Sequence, residues 1–259
     1  MKPTQQLHNL GQSLWLDNIS RELLDNGTVR RYVEDFSLTG LTSNPTIFDG
    51  AIGSGTAYDA GIHEKTQAGI SVEILFTELA LEDLCRAADL FRPVFDATAG
   101  VDGWVSMELS PLLADDTAGS IAAATRIHQQ AGRSNLFVKI PGTPAGLAAI
   151  EQSIFNGVPI NVTLLFDSQH YLAAANAYLR GIERRLGNGL DPRVASVASV
   201  FISRWDKAIA DTTNKASAWH SSKCRKSTFK TDICYGANSA TATTLDGRQT
   251  GTAHHRVTD

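Results

Sequence analysis

The sequence predicts an α/β protein in which strand–crossover–helix units build a parallel sheet. Six short apolar, β-branched runs punctuate the chain up to about residue 208, and longer stretches with apolar residues at helical spacing separate them. Helix-start signals follow the runs within a few residues, as a strand-then-helix alternation requires.

The runs occupy residues 13–17, 38–43, 104–109, 136–141, 160–166 and 197–202. Between the second and third, residues 71–96 carry Ile74, Leu75, Leu79, Leu81, Leu84 and Leu90 on one helical period. Residues 167–185 repeat the pattern with Tyr171, Leu172, Ala175, Tyr178, Leu179 and Ile182, so both segments predict crossover helices packed on a sheet. Thr143 before Pro144 pairs an N-cap residue with a first-turn proline, and Asp167 stands where an N-cap belongs. The glycine-rich stretch 50–61 matches neither a phosphate loop nor a dinucleotide fingerprint and predicts a plain loop.

At 259 residues and 42% apolar composition, the chain can bury one large core. A net charge of -4 with both signs interspersed leaves no basic stripe. Neither nucleic acid nor an anionic membrane is then the expected partner, and a small molecule is. Three irregularly spaced cysteines, Cys85, Cys224 and Cys234, make no disulfide framework and suit a reducing, cytoplasmic compartment. The first residues lack the apolar core of a signal peptide, and no stretch approaches the roughly 20 apolar residues of a membrane helix. A homo-oligomer is compatible with the sequence but not legible in it.

From about Ala210 the character changes: the remaining residues contain no Glu, one Leu, many Thr, Ser and Ala, and two of the three cysteines. No helical or strand period survives, so residues 210–259 are expected to form a low-order tail behind a folded part spanning 1–209. His254, His255, Cys224 and Cys234 are metal-ligating types, but a tail without structure does not hold them together, and no metal site is expected.

Chemistry enters at residues 136–142, where Lys139 interrupts an apolar strand and shares a face with Phe137. If that face is the interior of a barrel, the ammonium is partly desolvated, and desolvation favours the neutral amine that attacks ketones. On this strand alone an edge-strand lysine reaching water is the simpler reading. Nearly every other strand also carries polar residues at its C-terminal end, where barrel active sites are built. Asp17 closes the first strand, Asn44 follows the second and Glu108 sits in the third. Asn161 and Thr163 lie two apart in the fifth, as do Ser199 and Phe201 in the sixth, so each pair shares a face. Singly, Asp17 and Asn44 also read as helix caps and Thr163 as a strand-forming threonine. Together these residues describe a site for carbonyl chemistry on a polyhydroxylated substrate.

At these positions the sequence resembles the transaldolase family. The resemblance runs from about residue 8 to 209 and rests on Leu16-Asp17, on Leu41-Thr42-Ser43-Asn44-Pro45-Thr46-Ile47-Phe48, on Ser106-Met107-Glu108 and on Val138-Lys139-Ile140-Pro141-Gly142-Thr143. It continues through Ile160-Asn161-Val162-Thr163-Leu164-Leu165-Phe166 and Val197-Ala198-Ser199-Val200-Phe201-Ile202-Ser203-Arg204. It implies a (β/α)8 barrel, here incomplete with about six of the eight units. It also implies a transferase of the pentose phosphate pathway that moves a dihydroxyacetone unit between sugar phosphates through a Schiff base on Lys139. By the same likeness Asp17 is the base, Glu108 relays protons through a water, and Thr163 holds that water. Asn44 and Asn161 bind the hydroxyls of the three-carbon unit, and Ser199, Phe201 and Arg204 line the sugar-phosphate side. No cofactor or metal is implied.

Two further units of the family are missing after the sixth, and the echo at residues 249–252 carries no role. Residues 218–223 can be encoded so that the next reading frame spells Leu-Gly-Ile-Ala-Val, which resembles the family's seventh-strand region, so the tail reads as truncated or frameshifted coding sequence. A six-unit remnant exposes two sheet edges, from which low solubility and weak catalysis are expected. Two alternatives stay open: a simple Schiff-base aldolase that releases dihydroxyacetone, and an inactive fragment.

Overall fold

A computed structural model describes residues 1–213 of the chain. Six strands, β1 (Leu14–Asp17), β2 (Leu38–Thr42), β3 (Trp104–Glu108), β4 (Leu136–Pro141), β5 (Ile160–Leu165) and β6 (Ser196–Val200), form one parallel sheet in sequential order. Around it lie α1 (Pro3–Asn9), α2 (Arg21–Asp25), α3 (Thr28–Phe36), α4 (Pro45–Gly53), α5 (Asp59–Gln67), α6 (Val72–Ala97), α7 (Thr117–Ala131), α8 (Pro144–Phe155), α9 (Ser168–Gly187) and α10 (Ser203–Thr213). Every predicted run overlaps its strand, and the α/β expectation holds as a curled, incomplete barrel. Among the described residues β1 pairs only with β2 and β6 only with β5.

The crossover helices start where short polar side chains can take the place of absent backbone acceptors. Asn44, Asp116, Thr143 and Asp167 each accept a hydrogen bond from a first-turn N–H, and Pro45 and Pro144 occupy first-turn positions that need no donor. Successive strand residues then alternate between two environments. Leu136, Val138 and Ile140 of β4, like Val105 and Met107 of β3 and Ile160 and Val162 of β5, join the main core against the helices. The opposite face carries a second, smaller cluster of Trp15, Trp104 and Phe137.

That second cluster measures the curl. β1 and β4 are three strand spacings apart, about 14 Å along a flat sheet, yet the Trp15 and Phe137 ring centroids lie 6.3 Å apart. Trp104 stacks on Phe137 at 3.9 Å, closing an aromatic floor across the concave face. Gly40 of β2 makes room for it, since a Cβ there would lie 2.5 Å from the Trp15 ring.

The glycine-rich stretch 50–61 corrects the loop expectation. α4 runs through Gly53 and α5 begins at Asp59, so only the short link between them is irregular. Asn44 and Pro45 start the first helix strongly, and Tyr58 pins the link. Its buried hydroxyl donates to Asp83 at 2.7 Å and accepts from the Arg21 backbone N–H at 2.9 Å. Arg21 Nε also donates to Asp83 at 2.9 Å. Burial raises the Asp83 carboxyl above its ordinary range while these partners pull it back.

The segment expected to be a low-order tail, with Cys224, Cys234, His254 and His255, lies outside the described residues except for 210–213, which close α10. Among the described residues no helix is long and apolar enough to cross a membrane.

Two stability predictions follow from this packing. Gly40→Ala should lower stability in urea unfolding by about 1–3 kcal/mol through overpacking, and Trp15→Phe in the same chain should recover part of that loss. Glu151 of α8 is held below its ordinary carboxylate range by hydrogen bonds from Arg180 and Arg184 of α9. A lowered folded value means that its stabilisation is complete above the ordinary value of 4.5 and fades as pH falls through the lowered one. Thermal unfolding from pH 6 down to about pH 3 should therefore show a steeper loss for the parent than for Glu151→Gln.

Candidate active site

The concave face becomes polar immediately above the aromatic floor. On β3 the inward residues run Trp104, Ser106, Glu108; on β4, Phe137 then Lys139; on β5, Asn161 then Thr163. Parallel register sets Glu108 beside Lys139 and Lys139 beside Asn161. Lys139 is 5% exposed, so the interior placement expected of it holds and the edge-strand alternative does not. Its Nζ donates to Glu108 Oε2 at 2.9 Å and to the Ser43 carbonyl at 3.0 Å. The Ser43 bond reaches over β3 from β4 to the end of β2.

Asn161 lies buried next to this pair. Its Nδ2 donates to Ser106 Oγ at 3.0 Å, and its Oδ1 accepts from Ser199 Oγ at 2.8 Å. The hydroxyls of Thr163 and of Thr42, both buried, have no hydrogen-bond partner among the described residues. A buried hydroxyl without a partner costs on the order of 1–3 kcal/mol, so these two mark where an added oxygen atom is worth most. Asp17 ends β1 in register with Thr42, which in turn faces Ser106.

Asn44 stands at the mouth of β2 and caps α4, its Oδ1 accepting from the Ile47 N–H at 3.0 Å. The cap reading and the site reading are therefore compatible only through its Nδ2. Phe201 stacks on Phe166 at 5.4 Å, and the Arg204 guanidinium lies 4.9 Å from the Phe201 ring centroid, so this pair forms an aromatic and cationic rim. Arg204 is exposed and contacts none of the buried polar residues in the hydrogen bonds described. Lys139 is thus hydrogen-bonded to Glu108 and Asn161 to Ser199, with the two pairs adjacent by register, while Asn44, Phe201 and Arg204 lie just beyond the strand ends.

Period-two reading fails at one place. Leu164 has φ +59°, and the β5–β6 register shifts between Val162 and Leu165. The extra residue reverses parity, so Leu165 returns to the helix-side core instead of following Thr163 inward. It also frees Phe166 to meet Phe201. Nothing in the residue types at 160–166 signals this bulge. Sequence reasoning also assigned no role to Thr42 and Ser106, which counting by two from Asn44 and Glu108 reaches, or to Ser43, whose backbone carbonyl meets Lys139 and carries no side-chain signal.

Comparison with known proteins bears on what such a face does. A sequence model described as transaldolase/fructose-6-phosphate aldolase matches residues 14–238. The transaldolase of Arthrobacter sp. is 47% identical over 208 residues, which is 80% of this chain and 56% of that protein. Transaldolase 2 of Nostoc punctiforme is 44% identical over 202 residues, 78% of this chain and 53% of that protein. The transaldolase of Trichodesmium erythraeum is 42% identical over 205 residues, 79% of this chain and 54% of that protein. The chain spans about half the length of the curated relatives it matches.

The Lys139–Glu108 pair itself gives a stability prediction. Glu108→Gln leaves the buried Lys139 without its counter-charge and should cost about 3–5 kcal/mol. Adding Lys139→Met to that variant should restore most of the loss, read as urea midpoints at constant slope.

Proposed function

The chain belongs to the transaldolase/fructose-6-phosphate aldolase family, and on that premise we propose that it transfers a dihydroxyacetone unit between sugar phosphates through a Schiff base on Lys139. The observation that carries this reading is a lysine buried on the concave face within 2.9 Å of a carboxylate. An amine that must attack a ketone has to shed a proton and regain one, and a carboxylate at hydrogen-bond distance is the group to exchange it with.

Lys139 attacks the ketone of fructose 6-phosphate or sedoheptulose 7-phosphate to give a carbinolamine. Loss of water, with Glu108 supplying and recovering protons, leaves an iminium ion. Asp17 takes the proton of the C4 hydroxyl, the C3–C4 bond breaks, and its electrons pass into the iminium to leave an enamine. The aldose phosphate departs. The enamine then attacks the aldehyde of glyceraldehyde 3-phosphate or erythrose 4-phosphate, and water releases the ketose and the free amine.

The orphan hydroxyl of Thr163 supports a role in holding the water of imine formation and hydrolysis. Asn161 and the Nδ2 of Asn44 bind hydroxyls of the three-carbon unit in this reading. Ser199, Phe201 and Arg204 belong to the sugar-phosphate side, where the Arg204 fork suits a phosphate. Polarisation comes from the iminium, so the scheme needs no metal or cofactor. The assignment rests on residues 1–209, and the sparse cysteines favour a cytoplasmic setting.

A second reading has its own support. β6 has no second strand neighbour among the described residues, and Ser199, Phe201 and Arg204 all lie on or beyond it. The chain then forms the imine without passing the three-carbon unit on.

Borohydride added with fructose 6-phosphate should fix a three-carbon adduct on the peptide containing Lys139, and Lys139→Met should abolish it. Absence of any adduct in the parent chain refutes the Schiff-base assignment. Consumption of erythrose 4-phosphate in a coupled assay marks transfer, free dihydroxyacetone without an acceptor marks simple aldol cleavage, and an adduct without turnover marks the second reading.

A further inference from the structure

We propose that Ser106 is a positioning residue that sets the Asn161 side-chain amide and, through it, the site's preference for a ketone bearing hydroxyl groups. The inference rests on the reading of Lys139 and Asn161 given above and deepens it.

Register puts Asn161 beside Lys139, yet its amide reaches back across β4 to β3, where Ser106 Oγ accepts from Nδ2 at 3.0 Å. In parallel barrels each interior layer is filled from alternate strands, which is why residues of β3 and β5 meet over β4. A terminal amide torsion is broad and roughly two-fold, so an asparagine with one anchor swings, whereas anchors on both its oxygen and its nitrogen hold it. The two anchors here are unequal. Ser199 is partly exposed on the outermost strand, whereas Ser106 is fully buried in the middle of the sheet. With both bonds made, Asn161 retains one N–H and one oxygen lone pair for a ligand.

Ser106 is also tied to the amine. Its backbone carbonyl accepts from Ser43 Oγ at 2.9 Å, and the Ser43 carbonyl accepts from Lys139 Nζ at 3.0 Å. One residue therefore references both the nucleophile and the amide that would read the hydroxyl next to the reacting carbon. A side chain merely filling space would not need a hydroxyl at this position.

The test uses the full chain with cyanoborohydride and compares trapping of dihydroxyacetone with trapping of acetone, which lacks both hydroxyls. Ser106→Ala should cut the preference for dihydroxyacetone by about tenfold, the usual scale of one lost buried hydrogen bond. Its acetone trapping should stay near the parent's, since the substitution removes only the side-chain hydroxyl and keeps the backbone carbonyl through which Ser106 is tied to Ser43 and the amine. Asn161→Ala should lose the same preference, Ser106→Ala should add nothing in the Asn161→Ala background, and Ser106→Thr should restore it. The inference is overturned if Ser106→Ala keeps the parent's preference, if it lowers both ketones alike, or if the two losses add. Those outcomes leave the Lys139 assignment standing. If the parent traps neither ketone, the Lys139 assignment falls and takes this inference with it.

Discussion

The curl of the parallel sheet is the constraint on which the site depends, because it converts one face of a sheet into an interior. A lysine on a flat sheet without helices over it would stand in water. Here β1 to β4 bend until Trp15 meets Phe137, and the same bend carries Lys139 Nζ to a carbonyl at the end of β2. Gly40 permits the bend by leaving space for the Trp15 ring. The aromatic floor therefore does more than fill volume: it fixes the radius at which the polar residues above it can touch one another.

The interior is energetically mixed, and its cost is offset on the other face of the same strands. Ser106, Lys139, Asn161 and Thr163 are all buried, and the Thr163 hydroxyl is without a partner. Alternation lets one strand serve both purposes, since Val138 and Ile140 join the helix-side core on either side of Lys139. Charges that a well-packed apolar layer could replace without loss of stability point to selection for chemistry at this face.

Much of this was legible because alternation and parallel register are simple rules. Strand order, the inward pairing of Phe137 with Lys139, and the approach of Glu108 and Asn161 all follow from counting by two along strands that pair in sequence. What stayed hidden breaks those rules or lacks a distinctive residue type. Leu164 adopts a left-handed conformation that its type disfavours, so no local signal reverses the parity after Thr163. Ser106 is a common strand residue whose role exists only through contacts across the curl, and Thr42 is an equally common one whose buried hydroxyl has no partner among the described residues. Asn44 meets its cap reading through its oxygen, which leaves only its amide nitrogen for a role in the site. The stretch 50–61 is glycine-rich yet largely helical because Asn44 caps its first helix and Tyr58 is buried against Asp83, and the second of these is a long-range contact that local composition does not carry.

The site also divides by depth, and the division has a mechanistic consequence. Groups proposed to make and break an imine, namely Lys139, Glu108 and Thr163, and Asn161 proposed to bind the three-carbon unit beside them, come from β3, β4 and β5, which have strand neighbours on both sides. Groups assigned to the sugar-phosphate end come from β6 and the turn into α10, where Phe201 and Arg204 stack at the rim. Rigid, desolvated surroundings favour the covalent steps, whereas a phosphate needs only a fork of donors that water can reach. Under the proposed function, imine formation and sugar-phosphate binding then rest on separable parts of one sheet. The bulge at Leu164 lies at the seam between them, turning the chain from the lysine's layer toward the aromatic rim.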